Sequence, residues 1–229
     1  SEPGRVVTNG MSQYSRNERN ANAGIVVGID PQDFPRDEAS FVQAFGAVDG
    51  ARYAQEAAAL AAAHPAGSAA ATHPLAGIAL QRTLESGAYA LGGSSYEAPG
   101  QLVGDFMAAR PSAALGSVQP SYKPGVRLGD LAASLPDYAI VAIREALPVF
   151  GKKIRGFDMA DAVLTGVETR TSSPLKIPRG DNLQSTNVVG LYPAGEGASY
   201  AGGILSAAVD GIKVAEALAL SVLRQPHDA

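Results

Sequence analysis

The chain has 229 residues, 46% hydrophobic and 17% charged, so it is long enough to bury a core and too apolar to be disordered. Acidic residues outnumber basic ones by 22 to 18, and the net charge of −4 disfavours a nucleic-acid-binding surface. Cysteine is absent, which excludes disulfides, thiolate metal sites and a cysteine nucleophile. No apolar run approaches the roughly 20 residues of a membrane helix, and the first ten residues do not resemble a signal peptide. We therefore expect a soluble, cytoplasmic protein.

The first half of the chain is predicted to contain two short strands and two helices. β-Branched stretches bounded by turn residues predict strands at 5–9 and 24–29. Alanine-rich stretches predict helices at 38–63 and roughly 75–91, the first ending before a proline and the second at paired glycines. Prolines break the segment 93–129, but its large apolar side chains predict an ordered, winding path rather than a linker.

The second half is predicted to combine helices with strands. A short helix at 130–135 precedes a longer one at 137–150, and apolar stretches predict strands at 162–165 and 188–192. This mixture predicts an α/β or α+β fold.

The last helix is predicted over 203–224, with one buried face. Asp210 and Lys213 are predicted to lie on its solvent side. The buried stripe is predicted to consist of Ile204, Ala208, Ile212, Ala215, Ala219 and Val222.

The sharpest functional pattern is the block 188–211, which predicts a strand, a glycine-bearing loop and a helix that starts near Gly202-Gly203. Such a junction points free backbone N–H groups and the positive end of the helix dipole at whatever lies in front of it. The carboxylate of Glu196 would repel a phosphate, so it suits the hydroxyl groups of a ribose or ribitol better. An ordinary tight turn between strand and helix explains the spacing equally well. The G-x-x-x-x-G-K-[ST] pattern of a P-loop is absent.

This block resembles the C-terminal flavin-binding motif of a bacterial family of FAD-dependent dehydrogenases, or NAD(P)/FAD-dependent oxidoreductases, distantly similar to glutathione-reductase-type flavoproteins. The resemblance extends over essentially the whole chain. It is also carried by Val7-Thr8-Asn9-Gly10-Met11-Ser12, Asn20-Ala21-Asn22, His73-Pro74-Leu75-Ala76-Gly77-Ile78, Ser121-Tyr122-Lys123-Pro124-Gly125-Val126 and Gly166-Val167-Glu168-Thr169-Arg170-Thr171-Ser172-Ser173-Pro174.

One feature of that family is missing. Its members carry a Rossmann-like dinucleotide domain whose G-x-G-x-x-G turn holds the pyrophosphate of FAD. No such turn occurs in this sequence, because Tyr200 stands where the third glycine would follow Gly195 and Gly197. We therefore expect the chain to be the C-terminal part of a longer protein, inactive by itself and without FAD.

The resemblance implies the cofactor-binding residues. Gly195 and Glu196 would meet the ribitol or the pyrophosphate, and the helix start would face the pyrimidine edge of the flavin. The implied set is Gly195, Glu196, Gly197, Gly202, Gly203 and Ile204.

Two further segments are candidates to face the substrate or the flavin. In the first, Arg170 would bind an acidic group, and Thr171, Ser172 and Ser173 would supply hydroxyl donors; the alternative is a polar strand end with a Glu168–Arg170 pair. The second contains Asn9 and Met11, and an ordinary polar loop explains it equally well. No catalytic acid or base and no metal site is assigned, because the three histidines lack ligand spacing.

The sequence thus predicts the C-terminal portion of an FAD-dependent oxidoreductase. Residues 1–19 would border the FAD domain, 20–162 would form an inserted substrate-facing domain, and 163–229 would complete the FAD domain. Expected partners are a small-molecule substrate and NAD(P)H or another electron donor, with no nucleic acid and no membrane. The alternative is a cofactor-free binding or interaction domain whose glycine block is only a structural turn.

Overall fold

The computed structural model describes residues 2–10, 14–170, 173 and 175–224. The chain divides into two compact units, Ser1–Thr169 (unit 1) and Arg170–Ala229 (unit 2). This division comes shortly after the domain boundary expected at residue 162. The assignment of either part to an FAD domain stays a prediction.

The elements give a mixed α+β chain. Unit 1 also contains short 3-10 helices at Pro31–Asp33, Ala69–Ala71 and Leu131–Ser134. The main elements are α1 (Glu38–Phe45), α2 (Ala47–Ala63), α3 (Ala76–Leu91), β1 (Ala98–Leu102), α4 (Val103–Met107), β2 (Val126–Leu128), α5 (Asp137–Lys153), β3 (Val163–Thr165) and, in unit 2, α6 (Ile204–Arg224).

The sheet of unit 1 has three strands in the order β2-β1-β3. β1 pairs with β2 in parallel and with β3 in antiparallel orientation, so Gly100 lies opposite both Leu128 and Thr165. The central strand has the sequence Ala98-Pro99-Gly100-Gln101-Leu102, in which proline and glycine both disfavour strand structure. Its neighbours still hold it, since the Gly166 N–H donates to the carbonyl of Pro99 at 3.0 Å.

The single helix expected over 38–63 is two helices. The side chain of Asp37 caps α1 by accepting the Ser40 N–H at 2.8 Å, and this bond lowers the pKa of Asp37. Gly46, at φ +86°, separates α1 from α2. The two helices then approach closely at Gly50, where a Cβ atom would lie 2.4 Å from the Cα of Val42.

The interior of unit 1 consists of three hydrophobic clusters in which alanine and aliphatic side chains dominate. The first lies among α1, α2 and α3, with Phe41 fully buried. The second joins α4 and the 3-10 helix at Leu131–Ser134 to α5 and contains Phe106 and Leu147. The third contains Val6, Ala88 and Val167. The absence of tryptophan and the small side chains suit this close packing.

Most of the expected helices are confirmed, whereas several expected strands are wrong. α3, α5, α6 and β3 lie where the patterns predicted them. The segments 5–9, 24–29 and 188–192 do not form strands. In the first of these, Val6 donates to the carbonyl of Glu85 in a helix and Thr8 donates to Val167, so its backbone bonds do not build a ladder. A β-branched sequence becomes a strand only where a partner strand lies beside it.

The segment 93–129 is the other place where the expectation and the fold differ. It contains β1, α4 and β2 rather than only an irregular path.

Among the described residues, no helix is both long enough and apolar enough to cross a membrane.

The contact at Gly50 gives a first prediction. Gly50→Ala should lower the free energy of unfolding by about 1–3 kcal/mol, because the added methyl group would collide with the backbone of α1. Gly87→Ala is the matched control, since Gly87 lies within α3 and no atom lies within 4 Å of the place that its methyl group would occupy. That variant should raise the free energy of unfolding by up to about 1 kcal/mol through helix propensity. Urea unfolding measures both, and equal effects would contradict the close approach.

Candidate functional site

The glycine-rich loop of unit 2, residues 193–203, leads directly into α6. It begins with a tight turn, in which the Tyr200 N–H donates to the carbonyl of Gly195 at 3.0 Å and the Ser199 N–H donates to that of Glu196 at 2.9 Å. Gly195 has φ +67°, a conformation that favours glycine. Glu196 and Gly197 are exposed on the outside of this turn.

The start of α6 leaves backbone donors open. Its first helical hydrogen bond runs from the Ala207 N–H to the carbonyl of Gly203 at 2.8 Å, and the hydroxyl oxygen of Ser206 accepts the Gly203 N–H at 3.1 Å. Within the described ranges, the N–H groups of Ile204, Leu205 and Ser206 have no acceptor. The residues around them are exposed, with Ile204 at 80% and Leu205 at 82%. Three donors and the positive end of the helix dipole therefore lie at an exposed end of α6.

The fold requires glycine at Gly195 but not at Gly203, although both were predicted to bind the cofactor. Gly195 needs its positive φ for the turn. Gly203 has an ordinary φ, and a Cβ atom there would meet only the hydroxyl oxygen of Ser206, at 3.4 Å. At Gly197 a Cβ atom would meet nothing within 4 Å. The fold of unit 2 does not itself explain why glycine stands at 203 or 197.

An ion pair beneath the loop links it to α6. The guanidinium of Arg179 donates to both carboxylate oxygens of Asp210, at 2.6 and 2.9 Å, and the two side chains are only 10% and 14% exposed. Asp210 also accepts the Gly195 N–H at 2.8 Å, and Arg179 also donates to the carbonyl of Pro193 at 2.7 Å. The hydrogen bonds from Arg179, and then the one from Gly195, lower the pKa of Asp210 to about 2. The same carboxylate raises the pKa of Arg179.

Tyr200 closes this arrangement from the other end of the loop. Its ring centroid lies 3.7 Å from the guanidinium carbon of Arg179 and 4.9 Å from the ammonium nitrogen of Lys176. Its hydroxyl oxygen accepts the Arg179 N–H at 3.0 Å, and the hydroxyl donates to the carbonyl of Ile177 at 3.2 Å. A depression of about 370 Å³ lies beside it. It is lined by Tyr200, Leu205, Ser206, Val209, Asp210 and Lys213.

The buried face of α6 is not the one that the sequence predicted. The predicted stripe is exposed; Ile204, Ile212 and Val222 are 80%, 69% and 52% exposed. Asp210, expected on the solvent side, points inward to Arg179. The prediction was wrong because α6 carries apolar residues around most of its circumference, so their spacing does not single out one face. The inward face consists of Ala207, Asp210, Val214, Ala217 and Ser221.

The other candidate segments are only partly described. Thr171, Ser172 and Met11 lie outside the described residues. The hydroxyl of Ser173 takes part in a local turn, since it donates to the carbonyl of Leu175 at 2.8 Å. Arg170 is exposed at the start of unit 2.

Within unit 1, the structure brings together two segments from the beginning and the end of that unit. The Thr8 N–H donates to the carbonyl of Val167 at 2.8 Å, which sets exposed Asn9 beside the segment that ends at Thr169. The carboxylate of Glu168 lies 3.9 Å from the position that a Cβ atom of Gly10 would occupy, and 3.5 Å from that of Gly24. One half-buried carboxylate thus lies beside two glycines at this corner, at distances that would be ordinary van der Waals contacts for a Cβ atom.

The network of Arg179, Tyr200 and Asp210 is the part of the site that the sequence analysis missed. Tyr200 and Asp210 lie within the glycine block, which is a local signal for both. Arg179 had no local signal, because its contacts reach 14 to 31 residues along the chain.

Comparisons with known proteins identify a family. A family model described as "FAD-dependent protein, C-terminal domain-like" matches residues 1–69 and 49–171, about three quarters of the chain. A relative from Clostridium beijerinckii, described as an uncharacterized protein, is 47% identical over 216 residues. This match includes 94% of the chain but 34% of the relative, so the chain spans about a third of that protein's length. The chain belongs to the family of FAD-dependent proteins that share this C-terminal domain.

Proposed function

We propose that the chain is the C-terminal portion of an FAD-dependent oxidoreductase of the dehydrogenase type, and that the start of α6 binds part of its cofactor. Family membership supports the flavin, and the open N–H groups of Ile204 and Leu205 support the location. The residues fit such a group, because exposed Gly202 and Gly203 precede these donors and a Cβ atom at Gly203 would meet only the hydroxyl oxygen of Ser206, at 3.4 Å. When bound, FAD supplies the hydride chemistry, accepting a hydride from one substrate and passing it to another.

The chain itself would orient the cofactor and stabilise its charge. The N–H groups of Ile204 and Leu205 would donate to carbonyl or phosphate oxygens, and the helix dipole would stabilise negative charge on the reduced ring. The exposed carboxylate of Glu196 would accept a hydrogen bond from a ribitol hydroxyl. The Gly195 N–H already donates to Asp210, so Gly195 would meet the ribitol or the pyrophosphate without a hydrogen bond from its backbone nitrogen.

Exposed Asn9 in unit 1 and exposed Arg170 in unit 2 remain candidates to face a small-molecule substrate. The electron donor would be NAD(P)H or another reductant. No residue is assigned as catalytic acid or base, since the hydride transfer is the work of the cofactor.

One observation favours the alternative, a cofactor-free domain with a structural turn. The positive φ of Gly195 and its bond to Asp210 are explained by the fold alone. The alternative does not explain why glycine stands at 203 or why the first N–H groups of α6 have no acceptor among the described residues. We therefore prefer the hypothesis that the chain is part of a flavoprotein. Absorbance near 450 nm in the purified parent protein separates the two.

The 229-residue chain should purify colourless and bind added FAD weakly. It has no G-x-G-x-x-G turn, so the hydrogen bonds that such a turn makes to the pyrophosphate would be missing. Absorbance spectra and calorimetric titration with FAD measure this, and riboflavin serves as the comparison ligand. A yellow preparation with stoichiometric FAD would contradict the expected division of the cofactor site.

In the parent protein, Gly203→Val should abolish flavin retention without changing the melting temperature of the apoprotein. The branched side chain would crowd the helix start where the flavin is proposed to bind, whereas its Cβ atom would meet only the Ser206 hydroxyl oxygen, at 3.4 Å. Gly211→Val is the matched control, because Gly211 lies two turns further along α6 and a Cβ atom there would meet nothing within 4 Å. Full flavin content in both variants would show that the loop is only a structural turn.

Glu196→Ala in the parent protein should weaken FAD binding by about 1–3 kcal/mol, the usual cost of a lost charged hydrogen bond. Glu216→Ala is the control, since Glu216 is an equally exposed carboxylate on α6, away from the loop. Fluorescence titration of the apoproteins with FAD gives both affinities. If the two variants bind equally well, Glu196 does not contact the cofactor.

A further inference from the structure

We propose that Arg179 and Asp210 are positioning residues, which hold the glycine-rich loop in one position relative to α6 and so keep the N–H groups of Ile204 and Leu205 available to the flavin. This inference rests on the proposed function and adds to it the residues that shape the binding site. Neither residue would touch the cofactor through its own ion-pairing atoms.

The first support is that each member of the pair holds a different point of the loop. Asp210 fixes Gly195 through its N–H group, and Arg179 fixes Pro193 through its carbonyl. Loss of one charge would therefore release one loop contact directly and the other through its partner. Asp210 lies on α6 itself, so the loop is set relative to the helix.

The second support is Tyr200, which ties the far end of the turn to the same guanidinium. Its ring stacks on Arg179 at 3.7 Å, and its backbone N–H donates to the carbonyl of Gly195. Pro193, Gly195 and Tyr200 thus all depend on one arginine. The planar fork of arginine can make these contacts together, whereas a lysine could not.

The third support comes from the energetics of buried charge. Taking an ion pair out of water costs about as much as the pair regains, and apolar replacements of such pairs are often no less stable. Stability alone therefore gives little reason for charge at these two positions. The pair does provide a fixed geometry and a net charge of zero beneath a loop that we expect to face a redox cofactor.

Because the pair is neutral, removing either charge should change the midpoint potential of the flavin, which a merely structural role of the pair would not do in a charge-dependent direction. Asp210→Asn leaves the positive charge of Arg179 uncompensated, which should favour the reduced, anionic flavin and raise its midpoint potential. Arg179→Gln leaves the negative charge of Asp210 and should lower the potential. A general loosening of the loop would shift both variants in the same direction.

The experiment has two arms. In the 229-residue chain, amide hydrogen exchange by NMR measures the protection of the Gly195 N–H. Arg179→Gln should accelerate the exchange of the Gly195 N–H at least tenfold, even though Asp210, the acceptor of that N–H, is still present. In the parent protein, both single variants should bind FAD at least tenfold more weakly, with midpoint potentials shifted in opposite directions, and the double variant should return close to the wild-type potential.

The control is the exposed pair of Asp49 and Arg52 on α2, whose side chains are both 58% exposed. Asp49→Asn and Arg52→Gln should change neither the Gly195 exchange nor the potential. Unchanged Gly195 exchange in Arg179→Gln, or potentials that move together in Arg179→Gln and Asp210→Asn, overturns the positioning role. A wild-type parent protein that carries no flavin overturns the proposed function, whatever the exchange shows.

Discussion

The buried ion pair of Arg179 and Asp210 fixes the shape of the glycine-rich loop, and the open start of α6 depends on it. Glycine loses more conformational freedom on ordering than any other residue, so a loop with several glycines needs strong contacts to adopt one shape. Here those contacts are charge-assisted hydrogen bonds to the backbone at Pro193 and Gly195. They use main-chain atoms on the inner side of the loop. The outer side carries exposed Glu196 and Gly197, and a Cβ atom at Gly197 would meet nothing within 4 Å.

Small side chains allow the helices of unit 1 to pack closely. Gly50 lets α1 and α2 approach until a methyl group would no longer fit, and alanines fill much of the interface with α3. A chain without tryptophan has few side chains large enough to fill a wide gap, so its elements must come close together. At Gly50 the absence of a side chain thus determines how closely two helix backbones can lie.

The sequence predicted what depends on neighbouring residues and missed what depends on distant ones. The helices α3, α5 and α6 follow from local periodicity and breakers, and the helix start near Gly203 follows from the glycine pattern. The strand β1 could not be predicted from Pro99 and Gly100, because its partners on both sides hold it in place. Arg179 was missed for the same reason, since nothing in its immediate sequence indicates a partner 31 residues away. The family resemblance supplied the flavin, which neither spacing nor composition could identify.

The rotation of α6 about its axis shows how far a polar contact can override hydrophobic patterning. Turning Ile212 inward in place of Asp210 would remove an apolar side chain from water, which is worth about 1.5–3 kcal/mol for full burial. The helix instead leaves Ile212 69% exposed and buries a carboxylate. The bidentate bond to Arg179 and the bond from Gly195 must together offset that difference, and the lowered pKa of Asp210 is the electrostatic sign of their strength. The N–H groups at the start of α6 point along the helix axis, so the rotation that the ion pair fixes leaves their direction unchanged and determines instead which side chains of α6 face the loop.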